Sequence, residues 1–153
     1  MKRIIIIVAV LILAAAPALA DPVSDFISIH NFNRAAAGAA EIAGQPEEKD
    51  GRYTYHASDS VDIIVITDGN EIKSVSCVCL DDSGVGEFLA QCATVFYDLG
   101  GLESYIYCYD PLLTNFLSAR AGRNAENDSS VPGLLFGISK ESFGYMFIIV
   151  KVK

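Results

Sequence analysis

The chain has 153 residues, a formal net charge of −8 and a hydrophobic fraction of 52%. This length suits one ordinary domain with a sizeable core, and the apolar content excludes a disordered chain. Because the basic residues form no cluster and the net charge is negative, we expect neither nucleic acid nor an anionic membrane surface as a partner.

The N-terminal stretch has the pattern of a secretory signal. Lys2-Arg3 precedes the apolar run Ile4–Ala16, and Ala18–Ala20 has a small residue at each end, as signal cleavage requires. The run is about 13 residues, whereas a membrane-spanning helix needs roughly 20. We predict a bacterial secretory signal over residues 1–20, cleaved to leave one secreted or periplasmic domain over residues 21–153. An uncleaved anchor is the alternative; after cleavage we expect no stable membrane insertion.

The first element of the exported part is a predicted helix from Pro22 to Gly44. Asp21 or Ser24 can cap its start, and apolar residues recur at helical spacing along it. Large side chains fill its first half and alanines its second, so the second half can approach a neighbour closely. The polar residues 45–51 predict a loop.

Three predicted strands follow this loop. Arg52–Ala57 alternates in character, Val61–Thr67 is rich in β-branched residues, and Glu71–Leu80 alternates again. Asp68–Asn70 is a tight hairpin signal between the second and third strands. In the third strand we expect the face that carries Val75, Cys77 and Cys79 to be buried.

Two helices are predicted next, Val85–Leu99 and Leu102–Ala121, separated by a pair of glycines. The start of the second is ambiguous, because Tyr105, Tyr107 and Tyr109 alternate as in a strand. Helical spacing fits more residues, so we predict a helix that is broken or kinked near Pro111.

Leu134–Ser139 and Tyr145–Val152 predict a closing hairpin. The last strand is nearly all apolar, so we expect it in the centre of a sheet and not at an edge. The element order α-β-β-β-α-α-β-β predicts an α+β fold: a two-layer sandwich with a mostly antiparallel sheet of about five strands and helices packed on one face.

Four cysteines in an exported chain predict two disulfide bonds. Cys77 and Cys79 share one face of a strand, with Cα atoms about 6.6 Å apart and parallel Cβ vectors, which is poor geometry for bridging each other. We predict the nested bonds Cys79–Cys92 and Cys77–Cys108, and the crossed pairing stays open.

Residue patterns for catalysis or metal binding are weak in this chain. It lacks the Gly-x-Ser-x-Gly elbow of many hydrolases and the paired Cys and His spacings of zinc sites. We therefore predict no catalytic residues, no metal ligands and no cofactor. The alternatives are a small periplasmic hydrolase with a site assembled across loops, in which His56 is the best candidate base and His30 the other histidine, or a small-ligand carrier.

The tyrosines of the two central helices are the strongest sign of function. Tyr97, Tyr105, Tyr107 and Tyr109 offer large rigid rings with one polar tip, as in many contact surfaces. The rim of the core is their alternative role. We predict a non-catalytic binding module, an adaptor, inhibitor or chaperone-like protein, whose partner is another protein or a small apolar ligand.

Overall fold

A computed structural model describes residues 21–123 and 133–151. The predicted signal over residues 1–20, and most of the polar stretch before the closing hairpin, lie outside the described residues. In the described part, no helix is both long and apolar enough to span a membrane.

Helix α1 spans Pro22–Ala36, shorter than the predicted helix that ended at Gly44. The side chain of Asp21 caps its start by accepting a hydrogen bond from the Val23 amide at 3.1 Å. The helix stops early because Gly38 adopts φ of +75°, a left-handed conformation that terminates a helix. Sequence inspection missed this glycine and chose Gly44.

The six strands form one antiparallel sheet in the order β1-β2-β3-β4-β6-β5. Their bounds are Glu47–Lys49 (β1), Arg52–Ser58 (β2), Val61–Asp68 (β3), Glu71–Cys79 (β4), Leu134–Glu141 (β5) and Gly144–Lys151 (β6). The α+β architecture with two helices packed on the sheet confirms the predicted fold class. The central position of β6, between β4 and β5, confirms the prediction made from its apolar sequence.

Strand β1 was not predicted, so the sheet has six strands where about five were expected. The three residues Glu47–Lys49 are exposed and charged, and they pair with β2 across a turn at Asp50-Gly51. An Asp-Gly pair is a strong hairpin signal, but the polar composition of residues 45–51 favoured a loop. Exposed charged residues suit an edge strand because they discourage pairing with other chains.

Helix α2 spans Val85–Arg120 and reverses direction at Gly101, where φ is 71° and ψ is −168°. The rings of Phe88 and Phe116 lie 6.3 Å apart between centroids, although a straight helix would separate these residues by about 42 Å. The helix therefore consists of two antiparallel arms, residues 85–100 (the first arm) and 102–120 (the second arm). The break lies at the predicted glycine pair, and the kink predicted near Pro111 is wrong, because that residue keeps helical dihedral angles.

The core lies between the helices and one face of the sheet. On β4 the buried face carries Val75, Cys77 and Cys79, each with 0% exposure, as predicted. Aromatic rings join the layers: Phe96 of the first arm packs edge-on against Phe136 of β5 and Phe147 of β6. Ser74, Ser76 and Val78 on the other face of β4 are also buried, with 5–8% exposure. The helical layer has its own outer surface, where Tyr97, Leu102 and Tyr109 are exposed.

Candidate functional site

The outer surface of the helical layer contains an apolar groove of about 650 Å³. Three helical segments line it: the end of α1, the first arm of α2 and the second arm of α2. The lining residues are Asn33, Ala36, Ala37, Gly86, Leu89, Ala90, Ala93, Thr94, Tyr97, Leu102, Tyr105, Tyr109, Leu112 and Leu113. None of these side chains is charged at neutral pH.

The groove forms because small residues on the first arm of α2 lie beside larger residues on the second arm. The first arm contributes Gly86, Ala90 and Ala93, which leave a shallow helical face. The second arm contributes larger side chains, including Tyr105 and Tyr109, whose rings pack with centroids 5.9 Å apart. The reversal of α2 brings these two kinds of surface side by side.

Three of the four tyrosines proposed from the sequence lie together at this groove. Tyr97, Tyr105 and Tyr109 line it, and each remains substantially exposed. Tyr107 is 59% exposed and is not among the lining residues. The helical conformation explains this difference. In a strand, residues 105, 107 and 109 would face the same side, whereas in a helix residue 107 faces away from residues 105 and 109.

A chain of hydrogen bonds fixes α1 against the first arm beside the groove. His30 Nδ1 lies 2.5 Å from Asp98 Oδ2, and His30 Nε2 lies 2.6 Å from Gln91 Oε1. Gln91 Nε2 donates to Glu87 Oε1 at 2.7 Å, and Arg34 donates to the same oxygen at 2.7 Å. The side chains of His30 and Asp98 are fully buried.

The groove touches this polar chain through Asn33, whose Nδ2 donates to Asp98 Oδ1 at 2.7 Å. Because Gln91 donates to Glu87, its carbonyl oxygen faces His30. Both ring nitrogens of His30 therefore lie at hydrogen-bond distance from side-chain oxygens. The network positions one wall of the groove.

The segment after α1 is also fixed by side-chain hydrogen bonds. Arg34 Nε donates to the carbonyl of Ala40 at 2.9 Å. Asn31 donates to the carbonyl of Ile42 and accepts from its amide, at 3.0 and 2.8 Å. These contacts explain why the residues predicted to continue the helix instead turn and pack back against it.

The two histidines have carboxylate and amide side chains as their hydrogen-bond partners in the described residues. His56 is 63% exposed on the sheet, with Asp62 Oδ1 at 2.7 Å and Glu47 Oε1 at 3.7 Å. The hydrogen bond with Asp62 raises the pKa of His56 above its ordinary value. Neither histidine has a hydroxyl or thiol among the hydrogen-bond partners found in the described residues.

All four cysteines lie in the described part of the chain as buried thiols, and no disulfide joins them. The predicted bonds Cys79–Cys92 and Cys77–Cys108 are therefore absent from the structure. Cys79 Sγ instead donates to the carbonyl of Asp81 at 3.0 Å. Cys108 lies on the second arm, Cys92 on the first arm and Cys77 on β4, and all three are buried.

The described residues contain no group of three or more histidine, cysteine or acidic side chains that could hold a metal ion. Comparisons with protein-family models, with curated proteins and with solved structures gave no match to this chain. The groove and the polar chain beside it are therefore the features from which a function can be argued.

Sequence inspection found the tyrosines of the groove but missed its other components. The wall formed by Asn33, Ala36 and Ala37 was hidden inside a helix predicted to be longer. The alanines of that region did predict close approach to a neighbouring element. The pairing of His30 with Asp98 joins residues 68 positions apart, and no local pattern signals it.

Proposed function

We propose that this protein is an exported, non-catalytic binding module whose groove accepts an apolar segment of a partner protein. The observation that carries this proposal is the tyrosine-lined apolar groove on the outer surface of the helices. Tyrosine gives large contact area at low cost in side-chain entropy, and it is enriched among residues that dominate binding energy.

The exposure of the rim favours a protein partner over a small ligand carrier. Leu102 is 60% exposed and Ile106, on the same arm, is 61% exposed. A carrier would enclose its ligand, whereas this groove is open on the solvent side of the helices. Exposed apolar residues around an open groove are typical of protein interaction sites.

Charge limits the kind of partner segment. The groove lining is uncharged, while the acidic Glu103 and Asp110 are exposed on the arm that carries the tyrosines. The whole chain has a net charge of −8. We therefore expect an amphipathic segment that has an apolar face flanked by Lys or Arg, because complementary charges favour association and orient the partner.

The hydrolase alternative has less support. His56 is 63% exposed on the sheet, so its surroundings exclude little water, and the groups paired with it in the described residues are the carboxylates of Asp62 and Glu47. A hydrolytic site would need an accessible unprotonated base beside a nucleophile.

The binding proposal is tested with a fluorescently labelled amphipathic Leu/Lys peptide and the processed protein, by fluorescence anisotropy. We expect Tyr109→Ala and Tyr105→Ala each to weaken binding about tenfold, in line with loss of a central aromatic contact. Tyr107→Ala is the matched control, since this tyrosine is on the same arm but outside the groove, and we expect less than about a twofold change.

Two outcomes would contradict the proposal. One is a failure of the Leu/Lys peptide to bind at any concentration tested. The other is equal weakening by Tyr107→Ala and Tyr109→Ala, which would indicate general attraction to an acidic surface. A Leu/Glu peptide of the same length should bind more weakly than the Leu/Lys peptide, and a reversed order would refute the charge argument.

Export is tested separately from binding. The protein purified from the producing cells should begin at Asp21, as determined by N-terminal sequencing and intact mass. Recovery of the chain from the cytosol with Lys2-Arg3 still attached would refute export, and it would leave the binding measurement unaffected.

A further inference from the structure

The sheet has a second face, opposite the one whose side chains form the core. Side chains alternate between the two faces along each strand, and strand pairing sets them in rows that cross the sheet. On the second face one row runs through Ile64 of β3, Ser76 of β4, Ile148 of β6 and Gly137 of β5. The next row runs through Ile66, Ser74, Val150 and Leu135 on the same four strands. All eight residues are uncharged.

Large and small side chains follow one another from strand to strand in these rows. Ile66 on β3 and Ile148 and Val150 on β6 are 36–37% exposed, whereas Ser74 and Ser76 on β4 are 8% and 5% exposed. Serine is the smaller residue, so it lies low between branched neighbours on either side. The second face therefore has a trough floored by Ser74 and Ser76 (the serine trough) beside a ridge formed by Ile148 and Val150 (the β6 ridge).

Charged residues on this face are concentrated toward the β1 edge of the sheet. The two uncharged rows continue through β2 into β1, where they end at Glu47 and Lys49. Arg52 of β2 precedes Lys49 in its row. In the row beyond, Asp62 is hydrogen-bonded to His56 at 2.7 Å. The two rows are thus uncharged from β3 to β5 and charged at the β1–β2 side.

We propose that the second face is a contact surface for another copy of this chain. A two-fold axis that lies between β4 and β6 and runs parallel to the strands sets the β6 ridge of each copy over the serine trough of the other. Ile148 then lies opposite Ser76, and Val150 lies opposite Ser74. The contact is isologous, as in most homodimers, and it corresponds to the aligned packing of two sheets. It does not depend on the binding role of the groove.

The distribution of charge favours this occupant. The same axis places β3 of one copy over β5 of the other, so β1 and β2 lie beyond the partner's sheet edge. Glu47, Lys49 and Arg52 therefore keep their water, and the centre of the contact contains no charge to desolvate. Burial of the serine trough adds little desolvation, since Ser74 and Ser76 are already almost fully buried within one copy.

The area of the contact sets its strength. The four strands from β3 to β5 have eight or nine residues each. They form a surface about 19 Å by about 27 Å, roughly 500 Å² for each copy. Two copies together bury about 1,000 Å², which is the lower limit for a specific interface. Each chain also has a net charge of −8, so two copies repel each other. We therefore expect a weak dimer, with a dissociation constant on the order of 10–100 μM.

Sedimentation velocity of the purified protein from about 2 to about 300 μM tests for this dimer, since that range spans the expected dissociation constant. We expect a reversible monomer–dimer equilibrium. Addition of about 0.5 M NaCl should tighten it, because salt screens the repulsion between two acidic chains. The same salt should weaken binding of the Leu/Lys peptide to the groove, so the two contacts respond in opposite directions.

Substitutions on the second face locate the contact. Ile148→Lys places a charge over the serine trough, and we expect it to weaken dimerisation by at least about tenfold. Thr54→Lys is the matched control, because residue 54 lies in the same row but on β2, beyond the partner's edge. We expect that control to change the dissociation constant by less than about twofold. Val150→Lys is a second ridge variant if Ile148→Lys does not fold, as judged by circular dichroism.

Four outcomes would overturn the proposal. The first is a monomer at every protein and salt concentration tested. The second is a dimer that keeps its strength in the folded ridge variants. The third is equal weakening by Ile148→Lys and Thr54→Lys. The fourth is a dimer that dissociates with Tyr109→Ala, which would place the contact at the groove of the helical layer.

Discussion

At the scale of single residues, the hydrogen-bonded pair of His30 and Asp98 has the largest consequence for the helical layer. Both side chains are buried between α1 and the first arm, and their remaining hydrogen-bonding atoms are paired with Gln91 and Asn33. A buried hydrogen-bonding group is costly to leave unpaired, because neither a partner nor water then satisfies it. The network therefore fixes how α1 lies beside the groove.

Replacement of Asp98 by asparagine should destabilise the protein by about 1–3 kcal/mol, because an amide cannot keep both hydrogen bonds that the buried carboxylate makes to His30 and Asn33. Urea unfolding at neutral pH measures the change. Glu103→Gln, an exposed carboxylate on the same helix, is the control, and we expect a change within about 0.5 kcal/mol. Similar small effects for both variants would refute a structural role for the pair.

Asp81 is the residue for which a pH dependence is expected. Its carboxylate accepts hydrogen bonds from the side chains of Ser83 and Ser60 and from backbone amides, and these bonds lower its pKa. A lowered folded-state pKa means that the ionised form stabilises the fold. This contribution is present above the unfolded-state pKa and is lost as the pH falls through the folded-state pKa.

The stability difference between the wild type and Asp81→Asn should therefore be largest near neutral pH and should disappear in strong acid. Urea midpoints measured across the acidic range check this expectation. Asp82→Asn removes the same charge one position along the chain and serves as the control. A difference that stays constant with pH would show that the charge of Asp81 is not the cause.

At the scale of elements, the reversal of α2 creates the groove. Gly100 and Gly101 have separate roles in it. A Cβ atom on Gly100 would lie 1.9 Å from the Ser104 hydroxyl oxygen, and Gly101 adopts a backbone conformation open almost only to glycine. In the sequence, this glycine pair correctly predicted the break in the helix, whereas Pro111 led to the wrong prediction of a kink.

Gly101→Ala should destabilise the protein by about 1–3 kcal/mol, because alanine strongly disfavours the required φ and ψ. It should also weaken binding of the Leu/Lys peptide, since the two arms then pack less well. Gly86→Ala is the matched control in the same helix, where a Cβ meets no atom within 4 Å. We expect that variant to gain about 0.5–1 kcal/mol from helix propensity. Thermal unfolding measures the change in stability of both variants. A change of the same sign in both would contradict the argument that Gly101 is needed for its backbone conformation.

The elements that were predicted correctly are those with a strong local period. The alternation of β4 identified its buried face, and the apolar run of β6 identified a central strand. The early end of α1 was missed because it depends on one glycine together with contacts of Arg34 and Asn31 to residues 40 and 42. Those contacts form only after the segment has folded back, so no local pattern contains them.

At the scale of the whole molecule, the two faces of the sheet have different surroundings. Ile149 on β6 is fully buried beneath the helices, whereas its neighbour Ile148 is 36% exposed on the other face. Ile149→Ala should cost about 2–5 kcal/mol, because it leaves a cavity in the core. Ile148→Ala should cost at most about 1 kcal/mol. Chemical denaturation of both variants measures the difference, and comparable losses would indicate that the second face is also covered in solution.

The groove illustrates what a single sequence leaves undetermined. Its tyrosines were selected for their residue type, but their common position depends on the reversal of α2 and on the tail of α1. Tyr107 shares the residue type and yet lies outside the groove. Surface sites of this kind are assembled from three segments, so the sequence predicts candidate side chains more readily than it predicts the site.

The insertion of β6 between β4 and β5 has a consequence for the edge of the sheet. Strand β6 pairs with β4 on one side and contributes Tyr145, Phe147 and Ile149 to the core. Among the described strands, β5 pairs with β6 alone. Displacement of β6 would therefore leave β5 without a strand to pair with and would open the core beneath the first arm.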